Sequence, residues 1–172
     1  MRYTFLDTGV LDELLKIPKH SDEERSKQVK AEFDERIHRG EKLIIPFAAM
    51  IELGNHVAQI KNENERKRCA ASFSEFLDSS RNNRAPWILC VDGLTEEQIG
   101  FISDKFERIG ADMKIGAGDI SIVYQFEKFQ ERVAGITEGV SIWSLDHHIP
   151  DLLRKLGIDR QLGQEIKRRK DR

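Results

Sequence analysis

Four carboxylates lie where apolar segments of the sequence end or where helices are predicted to begin: Asp7, Glu52, Asp119 and Asp146. In an open parallel sheet the carboxyl ends of the strands border one crevice, so acids placed there can converge although they are distant in sequence. Converged carboxylates repel one another unless cations lie between them. Because oxygen ligands suit Mg²⁺ or Mn²⁺, the pattern favours phosphodiester hydrolysis over redox or acyl-transfer chemistry.

The first two acids follow predicted strands. Residues 3–6 form a short apolar run that ends at Asp7 and leads into a helix stopped by Pro18. Residues 42–46 predict a second strand, and Pro46 suits the start of the helix that follows it. Glu52 is therefore expected about one and a half turns into a helix that leaves the carboxyl end of a strand.

The other two acids come at the start of a helix and at the end of a strand. Gly116 and Gly118 allow a tight turn before a helix that begins near Asp119. Residues 140–145 alternate apolar and polar side chains, as a strand does, and the carboxylate of Asp146 follows them. The sequence thus predicts one acidic pocket built from four separate segments.

Each acid also has a structural alternative. Asp119 is placed to cap a helix, and Asp146 is placed to form a turn after a strand. Such an account fits Asp7 less well, because desolvating a charge at the end of an apolar strand is costly without donors or a cation. Glu52 lies between Ile51 and Leu53, in a segment too apolar for a simple solvent-facing position.

The remaining sequence alternates strands and helices. Ser21 with Glu24 predicts a capping box, and the helix that it starts is expected to end at Gly40. Further helices are predicted at 63–79 and from Thr95 onward, and a strand at 87–91. We therefore predict an α/β fold, with a central parallel sheet of four or five strands and helices on both faces. One domain would cover residues 1–158, followed by a basic C-terminal tail at 159–172.

The order of these motifs resembles the PIN-domain nucleases, particularly the VapC-like ribonuclease toxins of prokaryotic toxin–antitoxin pairs. The motifs are Leu-Asp-Thr at the end of the first strand, a helical Glu after the second, a Gly-rich approach to an Asp-headed helix, and a strand that ends in Ser-x-Asp. The resemblance runs from about residue 3 to residue 157, and only the ordered combination is specific.

The resemblance implies a PIN-like fold and metal-dependent RNA cleavage. In that family the four acids bind Mg²⁺ or Mn²⁺, and their counterparts here would be Asp7, Glu52, Asp119 and Asp146. Thr8 and Ser144 match polar positions beside the first and fourth acids. The chain departs from the compact toxins by its charged helical stretches and by His147 and His148 after the fourth acid, where either imidazole could contact phosphate.

The implied partners are an RNA substrate and an antitoxin protein, with a homodimer as a further candidate assembly. Attraction of RNA would require basic side chains, and six bracket one predicted helix: Lys61, Arg66, Lys67, Arg68, Arg81 and Arg84. The alternative for these residues is a solvated helix face. His20, His38 and His56 show no metal-ligand spacing among themselves, so the sequence does not favour a zinc site.

Composition fits one cytoplasmic domain with no membrane partner. The chain has 172 residues, of which 39% are hydrophobic and 34% charged, with a formal net charge of −2. Neither a signal sequence nor a long apolar segment is apparent. Two other functions remain open: a non-catalytic PIN-like scaffold or RNA-binding module, and a haloacid-dehalogenase-type phosphatase. The phosphatase is disfavoured because Gly9 stands where that class carries a second Asp.

Overall fold

A computed structural model describes residues 1–90 and 94–158 as an α/β fold. A turn of π-helix covers Phe106–Gly110. The other elements, in chain order, are β1 (Arg2–Leu6), α1 (Thr8–Leu15), α2 (Glu23–His38), β2 (Lys42–Pro46), α3 (Phe47–Ala58), α4 (Glu63–Arg81), β3 (Trp87–Cys90), α5 (Glu96–Lys105), α6 (Ala111–Met113), α7 (Ala117–Arg132), β4 (Gly139–Trp143) and α8 (His148–Leu156).

Within the described residues the sheet has four strands, all parallel, in the order β3-β2-β1-β4. The chain first builds outward on one side of β1, through β2 and β3, and then returns to place β4 on the other side. The reversal of strand order between β1 and β4 makes this the topological switch point, where α/β proteins usually form their crevice. Two of the four predicted acids directly follow these two strands.

The sheet is buried beneath helices, as the apolar runs predicted. Phe5, Leu6, Leu43 and Ile45 are almost completely excluded from solvent. Phe5 packs edge-on against Phe126 of α7, with 5.9 Å between ring centroids. A strand buried by helices in this way reads as a continuous apolar run, which is why its polar end residues stand out.

The predicted α/β fold and four-stranded parallel sheet are confirmed, whereas the predicted start of α2 is wrong. Asp22, not Ser21, caps α2 by accepting hydrogen bonds from the backbone N–H groups of Glu24 and Arg25. The Ser21 hydroxyl instead donates to the carbonyl of Ile17 at 2.9 Å. Tertiary contact selects between the two capping residues, because the Asp22 N–H also donates to Glu13 of α1.

Two of the predicted segments extend past the described residues. Val91, the last residue of the predicted third strand, and the basic tail at 159–172 both lie outside them. Helix α2 ends at His38, and Gly40 follows with a φ of +75°. Glycine is favoured at that angle, so it terminates the helix as predicted. None of the helices in the described ranges has the length and apolar character needed to cross a membrane.

Candidate metal-binding active site

Asp7 anchors the site at the carboxyl end of β1. Its backbone N–H donates to the carbonyl of Trp143 at 3.1 Å and so continues the pairing of β1 with β4. The side chain is only 4% exposed and accepts a hydrogen bond from the Thr8 N–H at 2.7 Å. Asp7 therefore caps α1 while its second carboxylate oxygen faces the end of β4.

Ser144 connects the first and fourth acids. Its hydroxyl lies 2.7 Å from Asp7 Oδ2 and 3.2 Å from Asp146 Oδ1. The Ser144 hydroxyl has one proton and can donate to only one of these oxygens at a time. The two distances nevertheless show that the carboxylates of Asp7 and Asp146 lie on either side of the same hydroxyl. The Ser-x-Asp spacing after β4 thus brings Asp146, which is exposed, close to buried Asp7.

Glu52 reaches the site from α3. The residue is exposed, so the expectation that it avoids a solvent-facing position is wrong, because this turn of α3 also leaves Ile51 exposed. The Thr8 hydroxyl donates to Glu52 Oε2 at 2.7 Å and thereby joins the start of α1 to α3. The same oxygen lies 3.7 Å from the position where a Cβ on Gly118 would stand. A side chain at Gly118 would consequently narrow the space between Glu52 and the N-terminus of α7.

Asp119 completes the cluster from the first turn of α7. Its Oδ2 accepts a hydrogen bond from the Gly116 N–H at 3.2 Å. Gly116 is the N-cap of α7 and Asp119 is the third residue of the helix, so Asp119 supports the helix start from inside and is not itself the N-cap that the alternative proposed. Asp146 likewise accepts from the His148 N–H at 2.9 Å and helps to start α8. In Asp119 the hydrogen bond is accepted by Oδ2 and in Asp146 by Oδ1, so each backbone contact involves one of the two carboxylate oxygens.

Burial and mutual repulsion change the acidity of the two less exposed carboxylates. Burial raises the pKa of Asp7 to about 7; the Ser144 hydrogen bond opposes the rise, and the charges of Asp119 and Asp146 add to it. Burial also raises the pKa of Asp119 to about 6, opposed by the Gly116 N–H and reinforced by Glu52 and Asp146. These interactions link all four acids electrostatically.

The donor set fits a hard divalent cation. Between described residues, no Lys or Arg forms an ion pair with any of the four acids, and His148, 4.0 Å from Asp146, is the one basic side chain that contacts them. The four carboxylates are spaced more widely than the ligands of one bound ion. Within the described ranges, the only group with three candidate ligand atoms within 4.8 Å of one another is a different one, formed by Asp12, His20 and His56. Mutual repulsion explains the wider spacing, and an ion among the carboxylates would relieve it.

The predicted auxiliary histidines lie at the rim. His147 and His148 are both exposed, and His148 Nδ1 is 4.0 Å from Asp146 Oδ2. The positive charge of His148 also helps to lower the pKa of Asp119 against the effect of burial. His148 is therefore close to two of the acids, whereas His147 is placed at the start of α8.

Three of the six predicted basic residues are held in local contacts on α4. Arg66 donates to the carbonyl of Ile60 at 2.6 Å, Lys67 pairs with Glu63 at 2.6 Å, and Arg81 pairs with Asp78 at 3.2 Å. The other three, Lys61, Arg68 and Arg84, are exposed. Helix α4 packs against α3, which carries Glu52, so its basic residues extend from an element that borders the acidic site.

The sequence analysis missed Asp12, His20 and His56. His56 Nδ1 lies 2.9 Å and 3.0 Å from the two carboxylate oxygens of Asp12, and the His20 ring stacks on His56 at 3.8 Å. A signal was available in the helix spacing. Asp12 follows Thr8 by four residues and His56 follows Glu52 by four, so one pairing of α1 with α3 implies the next.

Metal-free protein is expected to lose stability as pH rises. Because the pKa of Asp7 is raised from 3.8 to about 7, the folded state keeps a proton that the unfolded chain releases. Ionisation therefore destabilises the fold between about pH 4 and about pH 7, by roughly 4 kcal/mol in total. In chelator, the free energy of unfolding of wild-type protein should fall relative to that of Asp7→Asn between about pH 4 and about pH 7. Equal pH dependence in urea denaturation of the two proteins would contradict this assignment.

Comparison with known proteins assigns the chain to no family. Protein-family models, curated proteins and solved structures all give no match to the chain. Any functional assignment therefore depends on the fold and on the geometry of the acidic cluster.

Proposed function

We propose that the protein is a Mg²⁺- or Mn²⁺-dependent endoribonuclease with a PIN-like fold. The observation that supports this proposal is the position of four electrostatically linked carboxylates, without a Lys or Arg partner among the described residues, at the switch point of a parallel sheet. Oxygen-only sites bind hard divalent ions, and such ions are the usual means of hydrolysing phosphodiesters.

Each acid has a distinct part in the proposed site. Asp7, Asp119 and Asp146 would hold the ion, with Glu52 as a direct or water-bridged ligand. When bound, the ion supplies activation of water and neutralisation of the charge on the scissile phosphate. Attack by water on phosphorus breaks a P–O bond of the RNA backbone, and the chain needs no nucleophilic side chain of its own.

The hydroxyl groups serve as positioning residues. Ser144 fixes the relative placement of Asp7 and Asp146, and Thr8 orients Glu52 toward the same space. Both donate hydrogen bonds to carboxylates and so favour their ionised form, which is the form that binds metal. His147 and His148 lie at the rim, where a protonated imidazole can attract an RNA phosphate.

We further propose the partners that the PIN resemblance implies: an RNA substrate, an antitoxin protein and a second copy of this chain, in the cytoplasm. The exposed Lys61, Arg68 and Arg84 would attract the phosphate backbone without reading its sequence. Their removal should weaken binding of different RNAs to a similar extent.

A non-catalytic PIN-like scaffold or RNA-binding module is the second candidate. It is favoured by one observation, that Asp119 and Asp146 each accept a backbone hydrogen bond that starts a helix. It accounts less well for buried Asp7, whose ionisation is opposed by two neighbouring acids.

Ribonuclease activity should require both the acids and a divalent ion. Asp7→Asn is nearly isosteric but removes a ligand charge, so cleavage of a fluorescent RNA in Mn²⁺ should fall by about 10²-fold or more. Asp112→Asn removes one exposed carboxylate of α6 and should leave the rate unchanged. Cleavage that persists in chelator, or equal rates for the two variants, would refute the catalytic proposal in favour of the binding module.

A thermal melt separates the two roles of Asp119. Metal that binds only the folded protein should stabilise it by about 2.7 kcal/mol at one hundred times the dissociation constant. Asp119→Asn should raise the melting temperature in chelator by relieving repulsion, and it should reduce the shift produced by Mn²⁺. Since the side-chain carbonyl of Asn can accept the same hydrogen bond from the Gly116 N–H, a purely structural role predicts an undiminished Mn²⁺ shift. Asp112→Asn is again the matched control.

A further inference from the structure

A second group of metal-ligating side chains lies outside the acidic cluster. Asp12 of α1, His20 of the α1–α2 loop and His56 of α3 each offer one ligand atom, and these atoms all lie within 4.8 Å of one another. Asp12 is 4% exposed at its side chain, His56 19% and His20 37%. Burial thus decreases outward from the carboxylate, which leaves the imidazoles accessible to an ion from solvent.

The group lies one helical turn further along the contact between α1 and α3. Thr8 hydrogen-bonds to Glu52, and Asp12 contacts His56 four residues further along each helix. One helical turn, roughly 5–6 Å of rise, therefore separates this group from the acidic cluster. Glu52 also exerts an unfavourable electrostatic effect on the Asp12 carboxylate, so added positive charge here would be stabilising.

The loop that carries His20 is held in place before any ion binds. The Ile17 N–H donates to the Asp12 carbonyl at 2.9 Å, and the His20 N–H donates to the Ile17 carbonyl at 3.1 Å. Ile17 itself is fully buried. Lys16 and Lys19 adopt left-handed backbone angles, φ 52° and 70°, that turn the chain back toward α3. His20 is consequently fixed over His56 by the backbone and not by a flexible side chain alone.

The spacing and the donor types match a late first-row transition metal ion. Asp12 Oδ2 lies 2.9 Å from His56 Nδ1 and 3.9 Å from His20 Nδ1. Ligands of a tetrahedral zinc ion, at bond lengths near 2.0–2.1 Å, are about 3.3 Å apart, so the two observed distances lie on either side of that value. The imidazole rings are stacked at an angle of 16°, so at least one ring must rotate about its side-chain bonds to direct its nitrogen at the same ion. Imidazole nitrogens suit Zn²⁺ and its neighbours, whereas Mg²⁺ and Mn²⁺ are better served by the all-oxygen cluster.

We propose that Asp12, His20 and His56 form a site for Zn²⁺ or a similar late transition metal ion, with at least one coordination position left to water. Occupancy would tie the α1–α2 loop to α3 and strengthen the α1–α3 contact on which the Thr8–Glu52 hydrogen bond depends. None of its three ligands belongs to the acidic cluster, so metal binding here can be tested separately from the proposed ribonuclease activity.

Zn²⁺ titration of the full chain tests the site. Calorimetry is done on chelator-treated protein in excess Mg²⁺, which fills the all-oxygen cluster but competes poorly for imidazole. We expect wild-type protein to bind one Zn²⁺ at this site and to melt at a higher temperature with it. His20→Ala and His56→Gln should weaken the binding by at least about tenfold. The matched control is His38→Ala, which removes an exposed histidine of α2 and should bind as wild type does.

Co²⁺ gives a second measurement that does not depend on stability. Co²⁺ bound to imidazoles in a four-coordinate site absorbs visible light strongly, whereas Co²⁺ among six oxygens absorbs weakly. The strong absorption should appear in wild type and in His38→Ala, and it should be lost in His20→Ala. Equal Zn²⁺ affinity in wild type, His20→Ala and His56→Gln, or no strong Co²⁺ band in wild type, would overturn the proposal and leave a hydrogen-bonded histidine stack. Either result leaves the test of ribonuclease activity unaffected.

Discussion

Repulsion between carboxylates in a partly desolvated space is the constraint that organises the carboxyl edge of this sheet. Asp7 is buried between β1 and β4, and its ionisation is opposed by burial and by Asp119 and Asp146. The chain offsets part of this cost with neutral donors, the Ser144 hydroxyl and the Thr8 N–H, and not with Lys or Arg. A basic partner would neutralise the site, whereas neutral donors leave its negative charge available to a cation.

The fold brings these charges together through topology and not through local sequence. Strand order reverses between β1 and β4, so the segments after them share one edge of the sheet. Helix α3 leaves the end of β2 and contributes Glu52, and α7 approaches with its N-terminus at the same edge and contributes Asp119. The helix N-terminus also favours an anion there, which partly offsets the repulsion that Asp119 meets from its neighbours.

The sequence was sufficient to predict the parallel sheet, and it singled out four acids because apolar runs interrupted by single carboxylates are a local signal, whereas their role as metal ligands stays a prediction. It was insufficient wherever a contact between helices decides the outcome. Ser21 and Asp22 are both good caps, and only the contact with Glu13 selects Asp22. Asp12 and His56 meet through the register of α1 against α3, which their four-residue spacings from Thr8 and Glu52 indicate only once the Thr8–Glu52 contact is known. His20 is brought to His56 by the α1–α2 loop.

The contact between α1 and α3 therefore places two different sets of ligand atoms one helical turn apart. Thr8 and Glu52 present hydroxyl and carboxylate oxygens, whereas Asp12, His56 and the neighbouring His20 present a carboxylate and two imidazoles. Oxygen donors favour hard ions and imidazole favours softer ones, so two neighbouring sites on one helix pair can discriminate between ions by ligand type alone. Because the Thr8–Glu52 and Asp12–His56 contacts use the same two helices, an ion bound at the proposed Asp12–His20–His56 site would also restrain the position of Glu52. Occupancy of that site would thereby be coupled to the geometry of the acidic cluster.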